Sequence, residues 1–387
     1  MVQLRFAAVT EQMPANVFER MDRKVAAARA AGVDVIDLSK GNPDGFPEAF
    51  IRDAAREGVD DPLNARYTPF DGKRRFLEAA AGWYAREHGV TLDPARELFA
   101  VEGAVDGLAT LFSVLLDAGD TVAFADPYYP SYHCMAALRG ARELPLPARA
   151  ELGWLPDLDA VPARVWDDVR VLVLNYPNNP TGAQAPASFF RRAIELAHRH
   201  DFIVLHDFAY AGLGVREQQV SLLEAVGVDE RAIEVCSLSK MYAMAGWRAG
   251  FIAGSEQVVD VARKFHYQMG SMITSFVQDA GASALESDQG SVARQAARYA
   301  ARRAVVADGL RGLGYDLFDS QGGLYVWMRA PEGLDGDRFA DELLEDAGVA
   351  VLPGSCFGQV GADHVRLSLL QPRERLVDAV ARIGRCC

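Results

Sequence analysis

Short, wholly apolar runs alternate along the middle of the chain with stretches whose apolar residues recur every turn of a helix. Val122-Ala123-Phe124-Ala125, Val171-Leu172-Val173-Leu174 and Phe202-Ile203-Val204-Leu205 show no polar face, and Ala232-Ile233-Glu234-Val235 reads as the end of another buried strand. Runs of this kind predict strands covered on both sides. Between them, Ser188 to Ala197 places apolar residues at i, i+4 and i+8, and Asp106 to Leu116 is also helical in pattern. The alternation predicts an α/β fold built on a mostly parallel, doubly wound sheet. From about Gly290 the pattern changes. A long Ala/Arg-rich helix over Ser291 to Leu313 is followed by a strand at Gly323 to Met328, a helix near Arg338 to Ala347, strands at Val349 to Leu352 and His364 to Leu369, and a last helix over Arg373 to Ile383. This α+β segment predicts a second, smaller domain. The first 45 residues lack a core of their own and are expected to pack onto it. The expected division is 46–285 for the large domain, and 1–45 with 286–387 for the small one.

Each apolar run stops at polar or turn-forming residues: Asp126-Pro127, Asn175-Tyr176-Pro177, His206-Asp207 and Ser237-Leu238-Ser239-Lys240. Ligands of open α/β sheets bind beyond the carboxyl ends of the strands, so functional groups converge on one edge. A lysine at the end of a buried strand is costly unless it is paired or loses its proton, and a neutral lysine is a nucleophile. Asp207 in an apolar sheet needs a cationic partner or several donors. Tyr210 follows three residues later, Asn179 lies in the Asn178-Asn179-Pro180-Thr181-Gly182 turn, and Arg248 comes eight residues after Lys240. Together they call for one ligand carrying an aldehyde, a protonatable nitrogen, a phenolic oxygen and a phosphate, which is pyridoxal 5'-phosphate (PLP).

Composition narrows the alternatives. The 387 residues are 50% hydrophobic and 24% charged, with a net charge of -13, a balance that disfavours nucleic acid and anionic membranes as partners. No stretch reaches the ~18 apolar residues of a membrane span, and the N-terminus lacks a signal-peptide core. Five cysteines without a C-x-x-C pair, Cys386-Cys387 included, read as reduced thiols in a cytoplasmic protein. No H-E-x-x-H or P-loop is present, and His198 and His200 fall on different helix faces, so no metal is expected.

The motifs resemble those of the class I/II aminotransferases, the fold type I PLP enzymes of the aspartate aminotransferase superfamily. The resemblance runs from Leu38-Ser39-Lys40-Gly41-Asn42-Pro43 through Asn179-Pro180-Thr181-Gly182, Asp207-Phe208-Ala209-Tyr210 and Ser237-Leu238-Ser239-Lys240 to Val365-Arg366-Leu367-Ser368. It implies Lys240 as the Schiff-base lysine and general base, and Asp207 as partner of the pyridine nitrogen. Tyr210 and Asn179 would contact the 3'-oxygen, and Tyr129, with Tyr128 beside it, would stack on the ring. The phosphate would be held by Gly103, Ala104 and Val105 at a helix N-terminus with Ser237, Ser239 and Arg248. Glu102-Gly103-Ala104-Val105 lacks the hydroxyl residue many relatives carry there. Arg366, with Gly41 and Asn179, would clamp the substrate α-carboxylate. Tyr67 matches a tyrosine that reaches the neighbouring subunit's phosphate, which implies a homodimer with shared active sites.

The activity implied is transfer of an amino group from an L-amino acid to a 2-oxo acid by a ping-pong cycle, in the subgroup nearest alanine, aspartate and LL-diaminopimelate aminotransferases. Elimination, cyclisation or oxidative deamination on the same scaffold is the alternative, and a non-catalytic PLP-fold regulator is a third reading. The substrate side chain stays open. Arg263, Lys264 and His266 could bind an acidic group or form a solvated helix face, acidic residues near Asp44 would suit a basic substrate, and Lys40 departs from the family pattern without an assigned role.

Overall fold

The computed structural model describes residues 4–13, 16–215, 219–269 and 272–386, and the thiol pair of the Cys386-Cys387 tail lies outside what is described. β1 (Ile36–Asp37) lies near the N-terminus, outside the main sheet. β2 (Leu98–Val101), β3 (Thr121–Asp126), β4 (Arg142–Arg149), β5 (Leu155–Pro156), β6 (Val169–Leu174), β7 (Ile203–Phe208), β8 (Ala232–Ser237) and β9 (Gly250–Gly254) form one sheet in the order β2-β9-β8-β7-β6-β3-β4-β5. The pairs β8/β7, β7/β6, β6/β3 and β3/β4 are parallel. β9 is antiparallel to β2 and β8, and β5 to β4. The predicted mostly parallel α/β fold is what the chain adopts.

The apolar runs become central strands because both their faces are covered. Leu172, Leu174, Val204 and Phe208 enter the core on one side of the sheet, and Val171, Val173, Leu205, Val235 and Ile252 enter the core on the other. This two-residue alternation sends successive side chains to opposite faces, and each fully buried Val or Leu contributes about 1.5–3 kcal/mol. From β3 the chain moves outward to β4 and β5, then returns to β6 on the other side of β3 and continues to β7 and β8. That reversal opens a crevice at the carboxyl ends of the strands.

Several strands differ from expectation: the expected set does not include β1, β2, β5 or β9. β4 went unpredicted because it is largely an edge strand carrying Pro145 and Pro147, with several half-exposed or exposed positions. Proline is tolerated there but not in a central strand. The run Val349 to Leu352, expected as one strand, is two: β11 (Val349–Ala350) pairs with β1, and β12 (Leu352–Pro353) with β13 (His364–Ser368). The run serves two sheets, and its unbroken burial hides the break. β13 also pairs with β10 (Tyr325–Arg329). Around these strands Ile36, Leu38, Val306, Leu310, Met328, Phe339, Leu367 and Ile383 form a core of their own, so residues before 40 share it with residues after 300.

A charged knot lies under the sheet. Glu234 and His206 are fully buried and bonded at 2.6 Å. Glu234 also accepts from Tyr84 Oη, Ser221 Oγ and the Leu222 backbone N–H, each at 2.7 Å. Burial pushes its carboxyl up, but the His206 bond and charge with the two hydroxyls outweigh this and hold it below its ordinary value. Glu234→Leu strands all four donors and should cost about 3–5 kcal/mol, read as a shift in the denaturant midpoint. Because the folded value is depressed, the stabilisation is complete above the ordinary value of 4.5 and is lost as pH falls through the folded value. The variant's stability should therefore depend less on acid pH than the parent's.

Candidate active site

β8 ends at Ser237, whose side chain accepts from the Ser239 N–H at 3.2 Å and so caps the single helical turn Leu238–Met241. Lys240 projects from that turn into a cavity of about 740 Å³ at the strand ends. Its Nζ donates to the Gly41 carbonyl, and Gln295 Nε2 donates to the Lys240 carbonyl. Burial holds the ammonium below its ordinary value; Arg366 and Arg248 add to the effect, and Tyr325 opposes it.

β7 delivers Asp207 to the same cavity. Its Oδ2 accepts from Tyr132 Oη at 2.6 Å and its Oδ1 from the Ala209 N–H at 3.2 Å. Burial raises its carboxyl despite these bonds, and no basic side chain forms an ion pair with it among the described residues. β6 delivers Asn175, which donates to the Asp207 carbonyl at 2.7 Å and accepts from the Asn179 N–H at 2.9 Å. The Asn178–Gly182 turn is closed by Asn178 Oδ1, which accepts from Thr181 N–H at 3.1 Å and Oγ1 at 2.8 Å.

Arg366, on β13, is 1% exposed. Its Nη1 donates to Asn179 Oδ1 and its Nη2 to the Ser39 carbonyl, both at 2.8 Å. Its guanidinium lies 4.0 Å from the centre of the Tyr325 ring and 4.9 Å from that of Phe357, while Nε has no partner. No carboxylate pairs with it among the described residues. Tyr325 Oη lies 3.1 Å from Tyr210 Oη. A Cβ on Gly41 would stand 2.8 Å from the Tyr325 hydroxyl, so glycine is required for this approach.

The opposite end of the cavity is built on backbone. Gly103, at φ +81°, precedes the helix Ala104–Leu115, and a Cβ on it would meet Arg248 Nη2 at 2.8 Å. Arg248 donates to the carbonyls of Ala245 at 2.9 Å and Glu102 at 3.1 Å. Ala104, Val105, Ser237 and Ser239 complete this end.

Of the residues singled out in the sequence, Gly41, Ala104, Val105, Tyr129, Asn179, Asp207, Tyr210, Ser237, Ser239, Lys240, Arg248 and Arg366 line the cavity. Gly103 backs Arg248. Tyr129 faces the cavity, whereas Tyr128 packs on Phe124 at 4.5 Å. Tyr67 is 95% exposed and does not enter this cavity from its own chain. Arg263, Lys264 and His266 do not line it either: Arg263 pairs with Asp71 at 3.1 Å, Lys264 with Asp260 at 2.6 Å and His266 with Asp106 at 3.2 Å. Asp44 is taken by Arg302 at 2.7 Å. Sequence reasoning missed Tyr132 and Tyr325, and it placed Asn175 at a strand end without assigning it a role. Tyr132 lies three residues beyond Tyr129, and Tyr325 sits in an apolar strand pattern that hid its hydroxyl.

The residues present fit PLP. A buried carboxylate without a cation suits the pyridinium nitrogen, a backbone cradle beside an arginine suits the phosphate, and a lysine with a lowered pKa suits the aldehyde.

Comparison with known proteins points the same way. The family profile described as Aminotransferase class I and II matches residues 33–383. The chain is 38% identical over 378 residues to the L-glutamine–4-(methylsulfanyl)-2-oxobutanoate aminotransferase of Bacillus subtilis, covering 97% of this chain and 95% of that protein. It is 38% identical over 377 residues to the LL-diaminopimelate aminotransferase of Desulforudis audaxviator, covering 97% and 96%. Among solved structures, substrate-bound BacF from Bacillus subtilis superposes with a TM-score of 0.95 at 32% identity over 99% of this chain and 98% of that one. Thermus thermophilus aspartate aminotransferase with maleate gives 0.92 at 30% identity over the whole of both. The chain belongs to the class I and II aminotransferases, a PLP-using family, and moves an amino group from an amino acid to a 2-oxo acid.

Proposed function

We propose that the cavity holds PLP with Lys240 at its aldehyde, Asp207 at its ring nitrogen, Tyr210 and Asn179 at its 3'-oxygen and Tyr129 against its ring. Its phosphate lies at Gly103, Ala104, Val105, Ser237, Ser239 and Arg248. The cofactor, when bound, supplies an aldehyde that condenses with amines and a ring that accepts the electron pair left when the α-proton departs. The chain's own residues do the rest. Arg366 receives the α-carboxylate in a two-pronged contact, with Asn179 and the Gly41 backbone beside it, and so orients Cα toward Lys240. Lys240 Nζ would take the proton from Cα and return it on the other side of the amino nitrogen; its lowered pKa is what a base working near neutrality needs. Tyr132 keeps Asp207 oriented.

The observation that carries this reading is Arg366: a buried guanidinium without an acidic partner among the described residues, opening onto the cavity that Lys240 and Asp207 share. Amino-group transfer is preferred to elimination, cyclisation, oxidative deamination or a non-catalytic regulator because the relatives named above with stated activities are aminotransferases. By analogy with them, the donor and acceptor carry unbranched side chains of several atoms. The assembly we propose is a homodimer in which Tyr67 reaches the partner's phosphate site. Its exposure, with that of Phe46, Phe50, Leu63 and Phe70, supports burial by a second copy. We place residues 46–285 in the PLP-binding domain and 1–45 with 286–387 in the small one, in keeping with the separate core around β10 and β13. A cytoplasmic location is in keeping with the free thiols of Cys134, Cys236 and Cys356; no helix among the described residues is long and apolar enough to cross a membrane.

The purified protein should show an absorbance band at the edge of the visible that Lys240→Ala abolishes. The band should change on adding an L-amino acid donor and return with a 2-oxo acid; no band after incubation with PLP would sink the reading. Arg366→Lys, which keeps the charge but loses the fork, should raise KM for amino acids by about tenfold or more, seen in steady-state kinetics. Tyr132→Phe removes a donor from Asp207 and raises that carboxyl further. PLP should then bind about tenfold more weakly, measured by titrating the apoenzyme.

A further inference from the structure

Six charged side chains line the cavity among the described residues: Asp22, Lys40, Asp207, Lys240, Arg248 and Arg366. The proposed function uses the last four. Lys40 and Asp22 remain, and they are ion-paired with each other. We propose that Lys40 is the specificity-determining cation of this cavity: it takes the distal carboxylate of a dicarboxylic amino acid or 2-oxo acid, and Asp22 stands in for that carboxylate when the substrate side chain is uncharged. The inference rests on the reading of Arg366 as the α-carboxylate clamp.

Backbone anchors on both sides fix the position of Lys40. The Ser39 carbonyl accepts from Arg366 Nη2 at 2.8 Å, and the Gly41 carbonyl accepts from Lys240 Nζ. Lys40 therefore springs from the backbone between the clamp and the base. Asp22 comes from a separate element, the helix Val17–Ala30. Around them the cavity is lined by Phe18, Pro43, Phe46 and Pro47, so the pair is the local source of charge. The other basic residues near Asp22 on its helix have their own partners: Arg20 faces Asp337 at 3.9 Å, Lys24 pairs with Asp341 and Arg23 faces Glu19 at 3.8 Å.

The pair is built to exchange. The side chains are 38% and 52% exposed, and exposed ion pairs are weak. Partial burial pushes the Lys40 ammonium down from its ordinary value, so an anion in contact with it is favoured over none. When a distal carboxylate arrives, Lys40 exchanges one ion pair for another, and the Asp22 carboxylate, half exposed, is released to solvent at little cost. The flexible four-carbon stem permits the swing. A ping-pong enzyme must admit donor and acceptor in turn to one cavity, and this exchange lets an acidic and an uncharged side chain share it.

The test is the half-reaction of the PLP-loaded enzyme with L-glutamate and with L-methionine, each followed by cofactor absorbance and compared as a ratio of rate over binding constant. Lys40→Met should lower the glutamate-to-methionine ratio about tenfold, Lys40→Arg should keep it within about threefold, and Asp22→Asn should raise it by removing the competitor. A ratio indifferent to Lys40→Met, or lowered by Asp22→Asn, overturns the inference while leaving the cofactor reading intact. If neither amino acid changes the spectrum of the loaded parent, this inference falls, whereas the cofactor reading falls only if the parent shows no cofactor band.

Discussion

Arg366 donates from one guanidinium nitrogen to Asn179, 187 positions earlier, and from another to Ser39, 327 positions earlier. These two bonds draw the N-terminal segment, a turn at the end of β6 and the small antiparallel sheet around a single buried charge. Removing a guanidinium from water costs several kcal/mol after relaxation. Two neutral acceptors and the faces of Tyr325 and Phe357 offset part of that cost. What remains favours any carboxylate that enters the cavity, so the constraint that assembles the site also gives it affinity for amino and oxo acids.

The other charges follow the same logic of incomplete compensation. Burial drives the Lys240 ammonium down and the Asp207 carboxyl up, each toward its neutral form. Among the described residues neither forms an ion pair, and the smaller effects of His206 on Asp207 and Tyr325 on Lys240 do not outweigh burial. A ligand with an aldehyde beside the lysine and a protonatable nitrogen beside the carboxylate relieves both at once. Glu234, a short distance along β8 from Lys240, shows the contrary case. It is as deeply buried as Asp207, but His206 and three further donors satisfy it from within the chain, and its carboxyl is held low. One buried acid stabilises the sheet and the other waits for a partner, and the difference lies in which donors surround them.

Much of this could be read without coordinates. The apolar runs became β3, β6, β7 and β8, and their polar ends met at one crevice, because strands buried on both faces must be uniformly apolar and must stop where the chain meets solvent or a ligand. The edge strand β4 was not legible, since its prolines and half-exposed positions carry the signature of a connection. The break at Val351 was not legible either, as an unbroken buried run gives no sign that it passes between sheets.

By itself the sequence determined the fold class, the crevice and most of the polar and charged groups that reach it: Lys240, Asp207, Asn179, Tyr210 and Arg248 stand at strand ends or in turns whose residue types announce them, and Arg366, inside β13, was marked by its motif. Only the tertiary structure decided how those groups are held. That Tyr132 bonds Asp207, that Tyr325 joins Tyr210 beneath Arg366, and that Lys40 meets Asp22 are contacts between segments distant along the chain. Periodicity records the face a residue presents to its own helix or strand. It carries no record of the partner across the gap, which is set by how the elements pack.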